Sequence, residues 1–242
     1  MHPIALLVHG AGSSPATVLR LLAAAVPPGV RPVAVDARGS IGDVVRRLHA
    51  AAADSEVVLA AGISLGAHAV AAWALDGGRC EALLLVMPAW TGEPDDIAAL
   101  TSATAVEVET RGRGAVLADI RVGAPDDWVV RELADAWASY TDDELATTLR
   151  AAALSPAPTL QDLARIEPVV AVVALADDPL HPEAVARDWA AATHRSALET
   201  VSRQAPAQDV NALGIAGRDA LLRVRAAPDQ PEPRDQATTG SR

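Results

Sequence analysis

Glu56-Val57-Val58-Leu59-Ala60-Ala61-Gly62-Ile63-Ser64-Leu65-Gly66-Ala67-His68-Ala69-Val70-Ala71 is the stretch that decides the fold. Glu56 to Ala61 reads as a strand, apolar from Val57 onward. It runs without a linker into Gly62-Ile63-Ser64-Leu65-Gly66, and a helix of small residues follows to about Leu75. A strand that turns this sharply into a helix forces the turn residue into strained backbone geometry. The two glycines let neighbouring backbone come close. The Ser64 hydroxyl then stands clear at the strand end, at a helix N-terminus that favours negative charge. Gly-x-Ser-x-Gly alone says little; the legible strand before it and helix after it give it meaning.

The same alternation extends outward. Ile4 to Val8 reads as a buried strand, followed by the loop His9-Gly10-Ala11-Gly12-Ser13-Ser14-Pro15. Pro15 suits the first turn of a helix running to about Ala25. Val33 to Val35 is the next strand, and Ile41 to Ala53 the next helix. Ala82 to Met87 is a fourth strand. From about 92 to 166 the chain turns helical and acidic. Asp127-Trp128 opens one helix, with Val130, Leu133, Trp137 and Tyr140 at helical spacing, and Asp142 to Leu154 forms another before Ser155-Pro156-Ala157-Pro158. Alternation resumes with a strand at Val169 to Leu175, a helix at Pro182 to Thr193, a strand at Ala197 to Val201 and a helix at Asp209 to Val224. The expected architecture is α/β: a doubly wound, mostly parallel sheet of about six strands, with a helical cap (92–166) inserted after the fourth. Such an insertion sits over the carboxyl ends of the strands, where open α/β sheets bind ligands, and is a candidate lid. Residues 1–225 form one domain in this reading. The tail 226–242, rich in Pro, Gln, Asp and Thr, is expected to be disordered.

Composition narrows the function. The chain has 242 residues, half of them hydrophobic, and a formal net charge of −11. An acidic surface repels phosphate backbones, so no nucleic-acid partner is expected. No run of about 20 apolar residues appears, so no membrane span is expected. Met1-His2-Pro3-Ile4 enters a strand at once, without the segments of a signal peptide, and the expected location is cytoplasmic. Cys80 is the single cysteine, which excludes an internal disulfide. Every basic residue is Arg and there is no Phe, a pattern we read as codon bias of a GC-rich genome. No His/Asp cluster has metal-ligand spacing, so neither a metal nor another cofactor is expected.

Two further stretches carry chemistry. The loop His9-Gly10-Ala11-Gly12 can aim backbone amides at the oxygen of a tetrahedral intermediate; the donors would be the N–H groups of Ala11 and Leu65. Its glycines do not match a dinucleotide fingerprint, and no Gly-Lys-Ser/Thr follows. Asp177-Asp178-Pro179-Leu180-His181-Pro182 follows the fifth strand. A carboxylate there can orient an imidazole, and Asp178 is the better placed, by its spacing to Pro182; both carboxylates could instead cap the helix that starts at Pro182. Trp90, Trp128, Trp137, Trp189 and Tyr140 carry most of the aromatic surface, and Trp90, just past the fourth strand, could line a pocket or pack in the core.

Together these stretches resemble the α/β-hydrolase family over about Ile4 to Val224. The resemblance rests on HGAG at 9–12, GISLG at 62–66 and DDPLHP at 177–182. It implies Ser64 as nucleophile, Asp178 as the acid, a variable cap at 92–166, absence of the family's first two strands, and hydrolysis of an ester, thioester or similar bond of a small-molecule substrate without a cofactor. The sequence departs from the family at the third catalytic residue. The family's His follows the last strand, where this chain reads Ser202-Arg203-Gln204-Ala205-Pro206; Gln204 occupies its place. An amide cannot take a proton at neutral pH. No His lies beyond His194, which precedes the last strand and belongs at the opposite edge. His181 lies at the correct edge and could swing toward Ser64, although the sequence does not secure it as the base. His68 is expected to pack or bond locally, as is His9; His49 and His2 are set aside. Two functions therefore stay open: a serine esterase or thioesterase, or a binding or regulatory protein of the same fold that has lost its general base and so is a pseudoenzyme.

Overall fold

The computed structural model describes residues 2–125 and 127–227. The tail expectation falls almost wholly outside the described residues. Six strands form one sheet: β1 (Pro3–Val8), β2 (Arg31–Val35), β3 (Glu56–Ile63), β4 (Ala82–Val86), β5 (Val169–Ala176) and β6 (Ser196–Ser202). All neighbouring pairs are parallel, in the order β2-β1-β3-β4-β5-β6. The order runs outward from β1 in both directions, so helices cover both faces.

The period of two in each strand sorts side chains to the two faces. Leu6, Val8, Ala60, Leu83, Leu85, Val170 and Val172 pack beneath α2 (Ile41–Ala52), α3 (Leu65–Leu75) and α9 (Glu183–Ala192). Ala5, Leu7, Ala61, Leu84, Val86, Ala171 and Val173 face α1 (Pro15–Leu21) and α11 (Ala212–Ala226). Every residue of β4 is buried, as a strand covered on both faces requires. Gly217 lets α11 ride close on the sheet: a Cβ there would lie 2.5 Å from a methyl of Leu84.

Between β4 and β5 lie α4 (Asp96–Arg111), α5 (Arg113–Gly123), α6 (Trp128–Trp137), α7 (Asp142–Ala153) and the short α8 (Leu160–Leu163). They carry their own core of Ala105, Val108, Val116, Trp137, Tyr140, Leu145 and Leu149. α7 starts at a reciprocal cap, with Thr141 accepting from the N–H of Glu144 and Glu144 accepting from that of Thr141. Two expected helices are broken. The one from Pro15 ends at Leu21 and continues as a 3-10 turn over Ala23–Ala25. The one expected from Asp209 is preceded by a separate turn of helix, α10 (Ala205–Gln208), and starts at Ala212. Among the described residues no helix is long and apolar enough to cross a membrane.

Candidate active site

Three adjacent strands end in the same way. The first residue beyond β3, β4 and β5 is Ser64, Met87 and Asp177, with φ of 55°, 52° and 58°. Side chains rarely adopt this region, and a residue held there costs roughly 1–3 kcal/mol. Hydrogen bonds hold two of them in place: the Ser64 N–H donates to the Val86 carbonyl at 2.8 Å, and the Met87 N–H to the Val173 carbonyl at 2.7 Å. The glycines flanking Ser64 follow from sterics. A Cβ on Gly62 would sit 2.1 Å from the Gly66 carbonyl oxygen, and one on Gly66 would sit 2.3 Å from that of Val8. Both obstacles are backbone and cannot give way. Strand β3 can therefore turn into α3, beside the end of β1, only with glycine at both positions.

The Ser64 hydroxyl meets His181. Its Oγ lies 2.9 Å from His181 Nε2, and His181 Nδ1 lies 3.2 Å from Asp178 Oδ1. Asp178 and His181 are only three residues apart, and the loop between them is wound around the carboxylate. Asp178 Oδ1 also accepts the N–H groups of Leu180 at 2.8 Å and His181 at 3.1 Å. This wrap, between Pro179 and Pro182, returns the imidazole toward the sheet edge. Burial pushes the Asp178 carboxyl up, but the hydrogen bond and charge of His181, the Leu180 N–H and the charge of Arg203 outweigh it, and the carboxyl is held below its usual value. With Nδ1–H donating to that carboxylate, Nε2 presents its lone pair to the serine hydroxyl.

The loop after β1 completes this edge. The Ser13 N–H donates to the Gly10 carbonyl at 3.1 Å, which closes a tight turn with Gly12 at φ 66°. Gly10 is pressed against the serine; a Cβ there would lie 3.3 Å from Ser64 Cβ. Trp137 and Tyr140 brace the turn from the insert. The Tyr140 hydroxyl donates to the Ser13 carbonyl at 2.8 Å, and the Trp137 indole lies over Gly12. The N–H of Leu65, at the first position of α3, has no partner within its helix.

Between sheet and insert lies a cavity of about 270 Å³. Ser64, His181 and Asp178 form its polar floor. Leu21, Ile63, Met87, Ile97, Leu133 and Leu149 give it apolar walls, and Trp90, Trp128 and Trp137 line it as well. Trp189 is fully buried, its indole N–H donating to the Thr91 hydroxyl.

Residues 5–207 match the sequence profile of the alpha/beta hydrolase family. The chain belongs to that family. Solved structures agree in fold. The enol-lactonase of Burkholderia xenovorans LB400 superposes with a TM-score of 0.71 at 17% identity, over 92% of each chain. A hydrolase from Pseudomonas aeruginosa PA01 gives 0.70 at 20% identity, over 93% of this chain and 90% of that one. The N-formylmaleamic acid deformylase of Pseudomonas putida S16 gives 0.65 at 18% identity, over 89% and 91%. No curated protein matches the sequence.

Within this alpha/beta hydrolase the residues singled out from sequence divide cleanly. Ser64, Asp178 and His181 come together, with Ala11 and Leu65 beside them in the cavity wall. Gln204 does not join them. It is exposed at the start of α10 and does not line the cavity. His194 is exposed ahead of β6, and His49 pairs with Asp76 on the surface. His9 is buried, with Nδ1 2.8 Å from the Gly10 carbonyl and Nε2 between the Ala37 N–H at 3.0 Å and Asp36 Oδ1 at 3.3 Å. His68 is fully buried: Nε2 accepts from the Ala89 N–H, and the ring packs against Trp90 and Trp189. Burial, with the nearby His181, pulls it down to about 3, so it stays neutral. Among the described residues no three of His, Cys, Asp or Glu converge to hold a metal ion. One residue at the site escaped the sequence reading. Arg203, in the turn after β6, reaches the cavity and lies against Asp178. Its partners sit 76 and 25 positions upstream, in segments that only the fold brings together, so the sequence holds no local cue to it.

Proposed function

We propose that the protein is a serine hydrolase acting on an ester or thioester of a small, largely apolar substrate through an acyl-enzyme on Ser64. The observation that carries this reading is the unbroken line from Ser64 Oγ to His181 Nε2 at 2.9 Å and from His181 Nδ1 to Asp178 at 3.2 Å. Ser64 Oγ attacks the acyl carbon while its proton passes to His181 Nε2. The oxygen of the tetrahedral intermediate takes the N–H groups of Ala11 and Leu65. As the intermediate collapses, His181 returns the proton to the departing oxygen or sulfur. Water then attacks the acyl-enzyme, giving a proton to His181, which restores it to Ser64 as the acid leaves. Asp178 keeps the proton of the resting imidazole on Nδ1 and stabilises the imidazolium that forms. The base thus comes from the loop that holds the acid, and the turn after β6 supplies none. The insert serves as the cap that closes the pocket, and the cavity of about 270 Å³ favours a small acyl group.

The test is intact-mass analysis after exposure to an activated fluorophosphonate. One adduct per chain, absent in Ser64→Ala, is the expected result. A folded protein that gains no adduct at any pH from about 6 to 9, the range in which histidine bases commonly act, overturns the proposal and leaves a non-hydrolytic binding protein of the same fold.

A further inference from the structure

Arg203 occupies the turn from which the sequence comparison expects the base, yet its contacts are with the acid. Asp178 uses Oδ1 for all three of its hydrogen bonds: the N–H of Leu180, the N–H of His181 and Nδ1 of His181. Its Oδ2 faces Arg203 Nε at 3.8 Å. That Nε is buried and has no hydrogen-bond partner. The Asp178 side chain is only 6% exposed. The far end of the same guanidinium donates to Asp127 Oδ2 at 2.5 Å, and the Asp127 side chain is only 8% exposed. Asp127 Oδ1 in turn caps α6 through the Val129 N–H at 3.0 Å. The Arg203 carbonyl accepts the indole N–H of Trp128 at 2.9 Å. One residue therefore holds the first turn of α6 with both backbone and side chain while its cation stands behind the acid.

We propose that Arg203 is a positioning residue, holding Asp178 ionised and oriented toward His181 and tying that carboxylate to the start of α6 in the insert through Asp127. The inference rests on the hydrolase reading for its role in turnover, but its electrostatics do not. Two buried carboxylates share one guanidinium, and the imidazole of His181 is bonded to one of them, Asp178. A neutral residue at 203 leaves the negative charge of Asp178 uncompensated beside that imidazole, which favours its protonation. The other groups around the set leave this balance in place. Asp177 points outward on the same loop, Glu132 on α6 is paired with Arg20, and His68 on α3 is neutral. Arg203 also links chemistry to the pocket: loosening the insert at Asp127 frees the guanidinium that steadies the acid.

The experiment uses the full chain and two neutral variants. Arg203→Gln keeps an amide that can reach Asp127, and Arg203→Met keeps only the stem; Arg203→Lys restores the charge. The C–H resonance of the His181 imidazole, assigned by its loss in His181→Gln, is followed by NMR as pH is varied. Fluorophosphonate labelling of Ser64 is timed over the same range. The expected result is a His181 midpoint raised by roughly one to two pH units in the glutamine and methionine variants, about what removal of a unit charge roughly 6–10 Å away does at an effective dielectric near 20. The lysine variant returns toward the parent. The acid limb of the labelling rate moves with the midpoint. Should the methionine variant not fold, the glutamine variant carries the comparison. A parent that gains no adduct while its His181 midpoint still moves as expected removes the hydrolase reading and leaves Arg203 its place behind the pair. A parent that labels, with midpoint and labelling profile both unchanged by Arg203→Gln, overturns the role of Arg203.

Discussion

The turns after β3 and after β6 lie at the same edge of one sheet and are set in different ways. After β3 the backbone decides. Gly62 and Gly66 are required because a Cβ on either would overlap another segment's carbonyl, and Ser64 is forced to φ 55°. After β6 the backbone is ordinary, with Gln204 at φ −86° and ψ −4°, and the side chains decide. Arg203 turns inward to Asp127 and Asp178, while Gln204 faces solvent. A site fixed by backbone sterics announces itself in residue types. A site fixed by side-chain reach does not.

The strongest way to break this contrast is at the elbow. Ser64→Ala is expected to lower hydrolysis of a p-nitrophenyl ester by about 10⁴-fold or more, the scale for loss of a catalytic nucleophile, with the fold intact. Turnover undiminished in the purified variant would sink the assignment. Gly62→Ala tests the steric side. It should cost on the order of 3 kcal/mol or more, because backbone and not a flexible side chain must move. A urea midpoint within error of the parent's would show that the elbow is not sterically locked.

The next effect tests the proposed base. His181→Ala should lower the rate by roughly 10²–10⁴-fold, the worth of a positioned general base. Gln204→Ala should leave it within about twofold, since surface changes away from a site are near neutral, and Gln204→His should bring no gain. The reverse pattern would move the base back to the turn after β6.

These residues show where sequence reasoning stops. The six strands, their helices and the insert were legible because apolar runs and turn residues repeat with the period of the structure. Ser64 was legible because its glycines leave one geometry. Asp178 was placed by the end of β5 and the spacing to Pro182. His181 was visible as a residue at the correct edge, but its contact with Ser64 depends on the wrap of Leu180 and His181 amides onto Asp178. No periodicity encodes that wrap. The break at Leu22 in the first helix and the separate α10 were missed for a similar reason: both segments are apolar enough to read as one helix, and tertiary packing divides them.

Acid sharpens the same comparison. An unfolded His titrates near 6.5, whereas His68, one turn beyond Ser64, is pulled down to about 3 by burial, with a smaller push from His181. Between those values the unfolded chain holds a proton that the folded chain lacks, so stability falls as pH drops below about 6.5, by at most about 1.4 kcal/mol per pH unit for this group. His68→Gln keeps an acceptor for the Ala89 N–H and should flatten the slope between pH 6 and 4 in urea titrations. The acid loop behaves otherwise. The Asp178 carboxyl is held low, so its contribution is present above the unfolded value and is lost only as pH falls through the lowered one, below roughly 4. Asp36, held down to about 2 chiefly by its hydrogen bond with His9, joins it there. A slope between pH 6 and 4 that His68→Gln leaves unchanged would remove the elbow helix from the account.

The smallest expected effect asks whether the two turns open together. The Ser64 and Met87 amides are bonded inside the sheet, among side chains that exclude water. They should exchange with solvent only when the whole chain unfolds. The turn after β6 shares its bonds with the insert instead, through Arg203 to Asp127 and Trp128 to the Arg203 carbonyl. Its amides, and those of the insert from 92 to 166, should exchange sooner, by local opening. Asp127→Ala removes the cap of α6 and one partner of Arg203. Loss of such a cap costs about 1 kcal/mol, so exchange in α6 should quicken by roughly fivefold to tenfold. Tyr140 still holds the far end of that segment to Ser13, so the change should fade toward α7. The amides of Ser64 and Met87 should slow or quicken only with global stability. If instead insert and sheet exchange equally slowly in the parent, the insert is no lid. If Asp127→Ala speeds the elbow amides and α6 by the same factor, the two turns belong to one cooperative unit, and the division between backbone-set and side-chain-set edges does not extend to their motion.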